Sequence, residues 1–362
     1  MFAKHFLFLC LFVLIACSPK KKATSTSSHL KYAKNIKIET EINGSKIELI
    51  NPKTNSVSYF FLGKTKPSNL EKRYTFIQVP VKRIITLSGT DIGMLSKLAA
   101  ENNIVGVANE TYIYNKKVKQ NCKLGRTISF GDFATLSYEK IIQSKANCII
   151  FSGFETEFPH QKQLKQANIF CLPNYDWKEI HPLGKAEWIR LFGLLLGKEE
   201  QANTYFSSCE SAYLNLKKKA QKLTISKQVF VGNLIGDTWF TPAGKNYLAQ
   251  LLNDAKANYT YKNTSGTESL ALSFEKIMRD NQNAEFWLNP GTTSQRSLSI
   301  RNPKVAYFKA FKKNQVFCYS KNQNYFWEMS AIEPHLVLSD LICILHPTQV
   351  SNRTLHYYTQ IH

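Results

Sequence analysis

Leu136-Ser137-Tyr138-Glu139-Lys140-Ile141-Ile142 returns 136 positions later as Leu272-Ser273-Phe274-Glu275-Lys276-Ile277-Met278. An asparagine follows each copy, Asn147 in one and Asn283 in the other. An apolar run comes next, Cys148-Ile149-Ile150-Phe151 or Phe286-Trp287-Leu288, and reads as a buried strand. Spacing, order and element type match, so the chain reads as two topologically similar halves.

Working outward from the first copy, Lys82-Arg83-Ile84-Ile85-Thr86-Leu87 is a short buried strand. Ser88-Gly89-Thr90 is a turn with capping residues, Asp91 to Ala100 a helix, and Ile104-Val105-Gly106-Val107 another strand. A second series opens at Gln228, with a strand at Val229-Phe230-Val231-Gly232, a loop from Gly236 to Lys245 and a helix from Asn246 to Asn253. Strand, turn and helix in alternation argue for α/β lobes with largely parallel sheets. Between them, Ala186, Ile189, Phe192, Leu195 and Leu196 recur at helical spacing. Gly197 breaks that run, and a second helix starting at Lys198 carries Tyr205, Phe206, Cys209 and Tyr213.

The expected fold is therefore α/β: two Rossmann-like α/β lobes, residues 80–181 and 224–350, bridged by a single long α-helix within 182–223. A helical strut predicts a small opening and closing motion rather than a wide hinge. Residues 35–79 alternate polar and apolar positions around breaks at Asn43-Gly44 and Asn51-Pro52, which predicts an extra N-terminal β-hairpin region. Residues 351–362 read as a C-terminal tail.

The N-terminus carries its own information. Residues 1–16 hold one lysine, Lys4, before an apolar run from Phe6 to Ala16, the length of a secretory core and too short to span a bilayer. Leu14-Ile15-Ala16-Cys17 resembles the lipobox of bacterial lipoproteins. That resemblance implies cleavage before Cys17, acylation of Cys17, and a periplasmic protein lipid-anchored to a membrane of the cell envelope. More than one acyl chain is needed for stable anchoring. Residues 17–34 then serve as the lipidated cysteine and a Lys/Ser/Thr-rich tether without apolar periodicity.

A net charge of +21 favours anionic partners: nucleic acid, lipid headgroups or acidic small molecules. Export argues against nucleic acid. Lysine clusters such as Lys116-Lys117-Lys119 and Lys217-Lys218-Lys219 read as solvated faces. Of eight cysteines, Cys10 leaves with the signal and Cys17 takes lipid. The remaining Cys122, Cys148, Cys171, Cys209, Cys318 and Cys343 have no CxxC or zinc-ligand spacing. Export permits a disulfide, but the sequence assigns none.

Four segments together resemble the substrate-binding proteins of ABC importers for ferric siderophores, haem and cobalamin. They are Val81–Ser88, the two Ser-aromatic-Glu-Lys-Ile repeats, Leu191–Ala202, and Trp239-Phe240-Thr241-Pro242-Ala243-Gly244-Lys245. Asn324-Tyr325-Phe326-Trp327-Glu328, then Pro334–Leu341 and His346-Pro347, are similar to the C-terminal signature of lipoprotein members of that family. The resemblance spans roughly residues 78–348. It implies a monomer that captures an iron-siderophore, haem or cobalamin ligand between its lobes and delivers it to an ABC permease dimer, with no cofactor, no metal site and no enzymatic activity.

Ligand walls are then expected from loops at the C-terminal ends of strands, where rigid aromatics can cover a flat ligand. The candidates are Ser88, Tyr112, Tyr114, Phe154, Tyr175 and Trp177 from the first lobe, and Trp239, Phe240, Tyr325 and Trp327 from the second. Phe326 stands among the latter. Arg126 and Arg296 could neutralise an anionic ligand. The resemblance also implies that Glu139 and Glu275, matched across the lobes, dock on arginines of the two-fold permease. Two other readings stay open. A surface lipoprotein could capture ligand without a permease, using the same fold. An exported enzyme is the third, but the chain has no GxSxG, HExxH or phosphate-binding loop, and His160, His181, His335 and His346 lack close metal-ligand spacing.

Overall fold

A computed structural model describes residues 30–131, 136–153, 158–224, 226–319, 323–348 and 354–362. Cys17 and Phe154 lie outside the described residues. The first sheet holds β1 (Ile36–Glu41), β2 (Gly44–Ile50), β3 (Val57–Gly63) and β4 (Thr75–Gln78) in that order. The expected hairpin is β1–β2, closed at Ile42-Asn43; β3 extends it antiparallel, and β4 pairs with β3 in parallel.

The first lobe runs β5 (Ile84–Thr86), α1 (Gly89–Lys97), β6 (Ile104–Val107), α2 (Lys116–Lys123), β7 (Ile128–Ser129), α3 (Tyr138–Gln143), β8 (Cys148–Ser152), α4 (Gln161–Gln166) and β9 (Phe170–Asn174). Its sheet order is β7-β6-β5-β8-β9, parallel throughout. Strands in such a sheet are covered on both faces, which is why β5, β6 and β8 read as continuous apolar runs rather than alternating ones.

The chain then crosses between lobes through α5 (Pro182–Glu187), α6 (Ile189–Leu196) and α7 (Glu199–Gln221). The helical run expected from Pro182 breaks at Trp188, the C-cap of α5 and N-cap of α6. Gly197 ends α6 at φ 65°, a left-handed stop that glycine adopts without penalty. The single long helix is α7, 23 residues, placed against α6 and against α13 (below) of the second lobe.

The second lobe contains β10 (Gln228–Val231), β11 (Asn233–Ile235), β12 (Thr238–Pro242), α8 (Tyr247–Asp254), β13 (Asn258–Tyr259), β14 (Ser269–Ser273), α9 (Phe274–Asn281), β15 (Phe286–Leu288), α10 (Gln295–Arg301), α11 (Lys309–Lys312), β16 (Val316–Tyr319), α12 (Gln323–Met329), α13 (Pro334–Leu345) and β17 (Tyr358–Gln360). Its main sheet is ordered β13-β10-β15-β16-β17, parallel except for β17. Two expectations are corrected here. The stretch from Gly236 to Lys245 is not a loop: β11, β12 and β14 form a separate antiparallel sheet. Residues 351–362 are not merely a tail, because β17 completes the lobe's sheet.

Carboxylates fasten the start of the described chain to the crossover. Glu187 accepts the backbone N–H groups of Lys31, Tyr32 and Ala33 at 3.0, 2.8 and 2.9 Å. Glu179 accepts those of Lys34 and Asn35 and the indole N–H of Trp188, all within 3.0 Å. Among the described cysteines no disulfide forms; Cys148, Cys171, Cys209 and Cys318 are buried.

Candidate ligand-binding site

The lobes meet along two seams with a cavity of about 390 Å³ between them. On one seam α12 lies on α1. A Cβ at Gly93 would sit 2.0 Å from the main-chain oxygen of Glu328, so only glycine permits this approach. The Glu328 carboxylate crosses the seam to accept the N–H groups of Tyr114 and Asn115 at 2.8 and 3.1 Å. The rings of Tyr114 and Tyr325 stand 4.6 Å apart beside it, and Asn324 Nδ2 donates to the Thr111 carbonyl at 3.0 Å. Lys97 pairs with Glu333 at 2.5 Å. On the other seam Lys178, just after β9, pairs with Glu268, just before β14.

Both lobes and the crossover wall the cavity. Thr90 comes from the first turn of α1, Trp177 and Lys178 from the 3-10 turn after β9, and Lys185 from α5. The second lobe gives Tyr247 at the start of α8, Tyr319 at the end of β16, and Phe326 and Trp327 on α12. The Lys185 ammonium lies 4.3 Å from the centre of the Tyr247 ring, a cation–π geometry. Burial lowers its pKa, and the carboxylates of Asp176 and Glu179 oppose that shift. Asp176 is buried beside it, with Oδ2 unpartnered and its pKa pushed up by burial. Lys245 is exposed at the rim, and no described carboxylate pairs with it.

The sequence candidates divide. Trp177 and Trp327 meet at the cavity, Trp327 with 56% of its surface exposed. Ser88 is set back from it, its hydroxyl 2.8 Å from that of Thr90. Tyr114 and Tyr325 are used in the α1–α12 seam. Trp239 and Tyr175 are corrections, since both are buried in the core. Trp239 packs on Phe230, Trp287 and Phe308 and donates its indole N–H to the Val231 carbonyl at 3.0 Å. The Tyr175 ring packs on Gly153. Phe240, on the opposite side of β12, is exposed and does not line the cavity; nor do Tyr112, Arg126 or Arg296. Lys178, Lys185, Tyr247, Glu268 and Tyr319 were not anticipated, because lone lysines and tyrosines at element ends carry no periodic signal.

Glu139 and Glu275 occupy equivalent places. Each is exposed and second in its helix, behind a serine N-cap, Ser137 or Ser273, whose hydroxyl accepts the backbone N–H of Lys140 or Lys276. The Ser137 hydroxyl also donates to Glu139, lowering its pKa. Among the described residues no group of three or more His, Cys, Asp or Glu side chains could hold a metal ion.

Two lobes with largely parallel sheets are thus joined by a helical crossover, with a cavity between them. Residues 84–322 match the periplasmic binding protein family. The chain belongs to that family. An uncharacterized lipoprotein of Methanocaldococcus jannaschii is 26% identical over 91% of this chain and 84% of its own. The petrobactin-binding protein YclQ of Bacillus subtilis superposes with a TM-score of 0.60 at 13% identity, covering 83% of this chain and 99% of its own. The periplasmic heme-binding protein HutB of Vibrio cholerae gives 0.59 at 14% identity, covering 73% and 99%. Among the described residues no helix is long and apolar enough to cross a membrane.

Proposed function

We propose that this binding protein is the substrate-binding lipoprotein of an ABC importer, lipidated at Cys17, that takes a ferric siderophore, haem or cobalamin into the interlobe cavity. The observation that carries this reading is the cavity wall: Trp177, Tyr247, Tyr319, Phe326 and Trp327 with Lys178, Lys185 and Lys245. Rigid aromatics give a planar ligand large apolar contact. Lys178 is paired with Glu268, so Lys185 and Lys245 are the charges that favour an anionic ferric siderophore or haem over near-neutral cobalamin. HutB and YclQ, which share the fold, are heme- and petrobactin-binding proteins.

Tryptophan fluorescence of the unlipidated protein, titrated with haem, cobalamin and several ferric siderophores, tests this. Quenching by at least one is expected. Trp327→Ala or Trp177→Ala should weaken that ligand about tenfold, as loss of a buried aromatic anchor does. No quenching by any of them would remove the importer reading.

Glu139 and Glu275 support the permease half of the proposal, one exposed carboxylate on each lobe at matched positions. Such charges set orientation and encounter more than affinity. Glu139→Arg with Glu275→Arg should cut ligand uptake by cells at least tenfold and leave the ligand Kd unchanged. Intact uptake would favour a capture lipoprotein that docks no permease.

A further inference from the structure

From Phe286 to Trp327 the chain has no aspartate or glutamate, but it has Arg296, Arg301, Lys304, Lys309, Lys312, Lys313 and Lys321. Six of these seven cations fall in the crossover from β15 to β16, which runs through α10, a 3-10 turn at Pro303–Tyr307, and α11. The inner side of that crossover is committed to the core through Leu298, Val305, Phe308 and Ala310, all buried. Its outer side carries the six cations, every one exposed. Among the described residues none of the six pairs with a carboxylate; Arg301 donates only to the Gly291 carbonyl, at 3.4 Å. The same crossover bears Ile300 and Tyr307, 73% and 66% exposed.

Unpaired cations around exposed aliphatic and aromatic side chains are the composition of a bilayer-interface surface. The apolar groups enter the acyl boundary and the cations meet anionic headgroups. A solvated face would not need Ile300 and Tyr307 outside, and a site for a small anion would need a concave wall. We propose that the outer side of the β15-to-β16 crossover docks on an anionic lipid bilayer. The surface lies beside the helix that bears Glu275: the N–H of Lys309, first residue of α11, donates to the carbonyl of Gln282, directly after α9, at 2.8 Å.

The test uses the chain from Ser18 onward, which holds every described element but no acyl chain. It is sedimented with vesicles of phosphatidylglycerol and phosphatidylcholine, and with phosphatidylcholine alone. Binding to the anionic vesicles alone, weakened by salt, is expected. Each surface cation contributes about fivefold in partitioning, so Lys304→Glu, Lys309→Glu and Lys312→Glu together should cost at least tenfold. The equal charge change on the first lobe, Lys116→Glu, Lys123→Glu and Lys162→Glu, should cost less than threefold. Ile300→Ser with Tyr307→Ser should weaken binding several-fold at unchanged net charge. All of these side chains are exposed, and unchanged thermal melts will show that the variants fold. Equal losses for the two triple variants, an unaffected Ile300/Tyr307 variant, or no vesicle binding at all would each overturn the proposal.

Discussion

Asp340→Ala will cost about 4 kcal/mol of stability and release the C-terminal strand. Asp340 is fully buried in α13, and its carboxylate accepts the backbone N–H groups of His356, Tyr357 and Tyr358 at 2.8, 2.6 and 3.0 Å. These donors lead directly into β17, which pairs with β16 from Phe317↔Gln360 to Tyr319↔Tyr358. The Tyr357 hydroxyl donates to Glu333, which also pairs with Lys97 of the first lobe. One carboxylate therefore holds both the last strand of the sheet and a group bound to the lobe seam. Alanine leaves the buried N–H groups of Tyr357 and Tyr358 and the part-buried one of His356 without partners, with a void beside them, and bonds to a charged acceptor are worth about 1.5–3 kcal/mol each. Urea unfolding would give the loss in stability, and limited proteolysis would show cleavage within the last residues of the chain. With β17 gone, β16 becomes an open edge, so aggregation on heating should rise. A variant as stable as the parent, with an equally resistant C-terminus, would show that β17 is held by its strand pairing alone.

The lobes could be read because their physics is written locally. Buried parallel strands leave apolar runs, and β5, β6, β8 and β15 are buried along nearly their whole length. The repeated Ser-aromatic-Glu-Lys-Ile is a capping serine followed by a helix whose isoleucine, Ile141 or Ile277, enters the core. The β11–β12 hairpin is hidden in the sequence because Gly236-Asp237 and the polar residues around Trp239 suggest a loop. Yet Thr238–Pro242 alternates, with Trp239 and Thr241 inside and Phe240 outside, and that period of two was the available signal. The same loop-like composition suggests Trp239 for a ligand wall, whereas its ring closes the core. The two helices before α7 were read as one because a buried stretch keeps its apolar spacing through the break at Trp188.

The cavity was less legible than the fold. Its walls come from separate turns and helix ends that only the tertiary structure brings together, so Lys185 and Tyr247 had no pattern in common until α5 met α8. The glutamate of the Tyr325-Phe326-Trp327-Glu328 stretch turns inward to bind Tyr114 and Asn115, while Trp327 faces the cavity. One segment thus closes the lobe seam and lines the candidate site, so a ligand bound there as proposed would press through Trp327 on the element that joins the lobes.

Asp91, next to the cavity residue Thr90, predicts how the first lobe responds to pH. It is fully buried in α1, accepting from Asn174 Nδ2 at 2.7 Å and from Thr86 Oγ1 at 3.0 Å. It thereby ties the ends of β5 and β9 together beside the cavity. Burial, reinforced by the nearby Asp176 carboxylate, pushes its pKa up to about 7. The folded chain then holds this proton between about pH 4 and pH 7, where the unfolded chain has lost it. Stability from Asp91 is complete below the unfolded pKa and is lost as pH rises through the folded one, by on the order of 4 kcal/mol in all. Asp176, Glu179, Glu328 and Asp340, also raised by burial, act in the same sense. His181, His335 and His346 act oppositely: burial lowers their pKa, so their contribution grows as pH rises toward about 6.5. Asp91→Asn isolates the one group. Its amide oxygen can still accept from Asn174, and its amide nitrogen can donate to Thr86, whose hydroxyl already reaches the Ser88 carbonyl at 3.4 Å. The variant should exceed the parent by about 1.5 kcal/mol at pH 5 and by about 4 kcal/mol at pH 8, measured by urea unfolding at both. A constant difference between variant and parent across that range would mean that Asp91 is already ionised in the folded protein, and that the ends of β5 and β9 are tied by a charge rather than by a neutral acid.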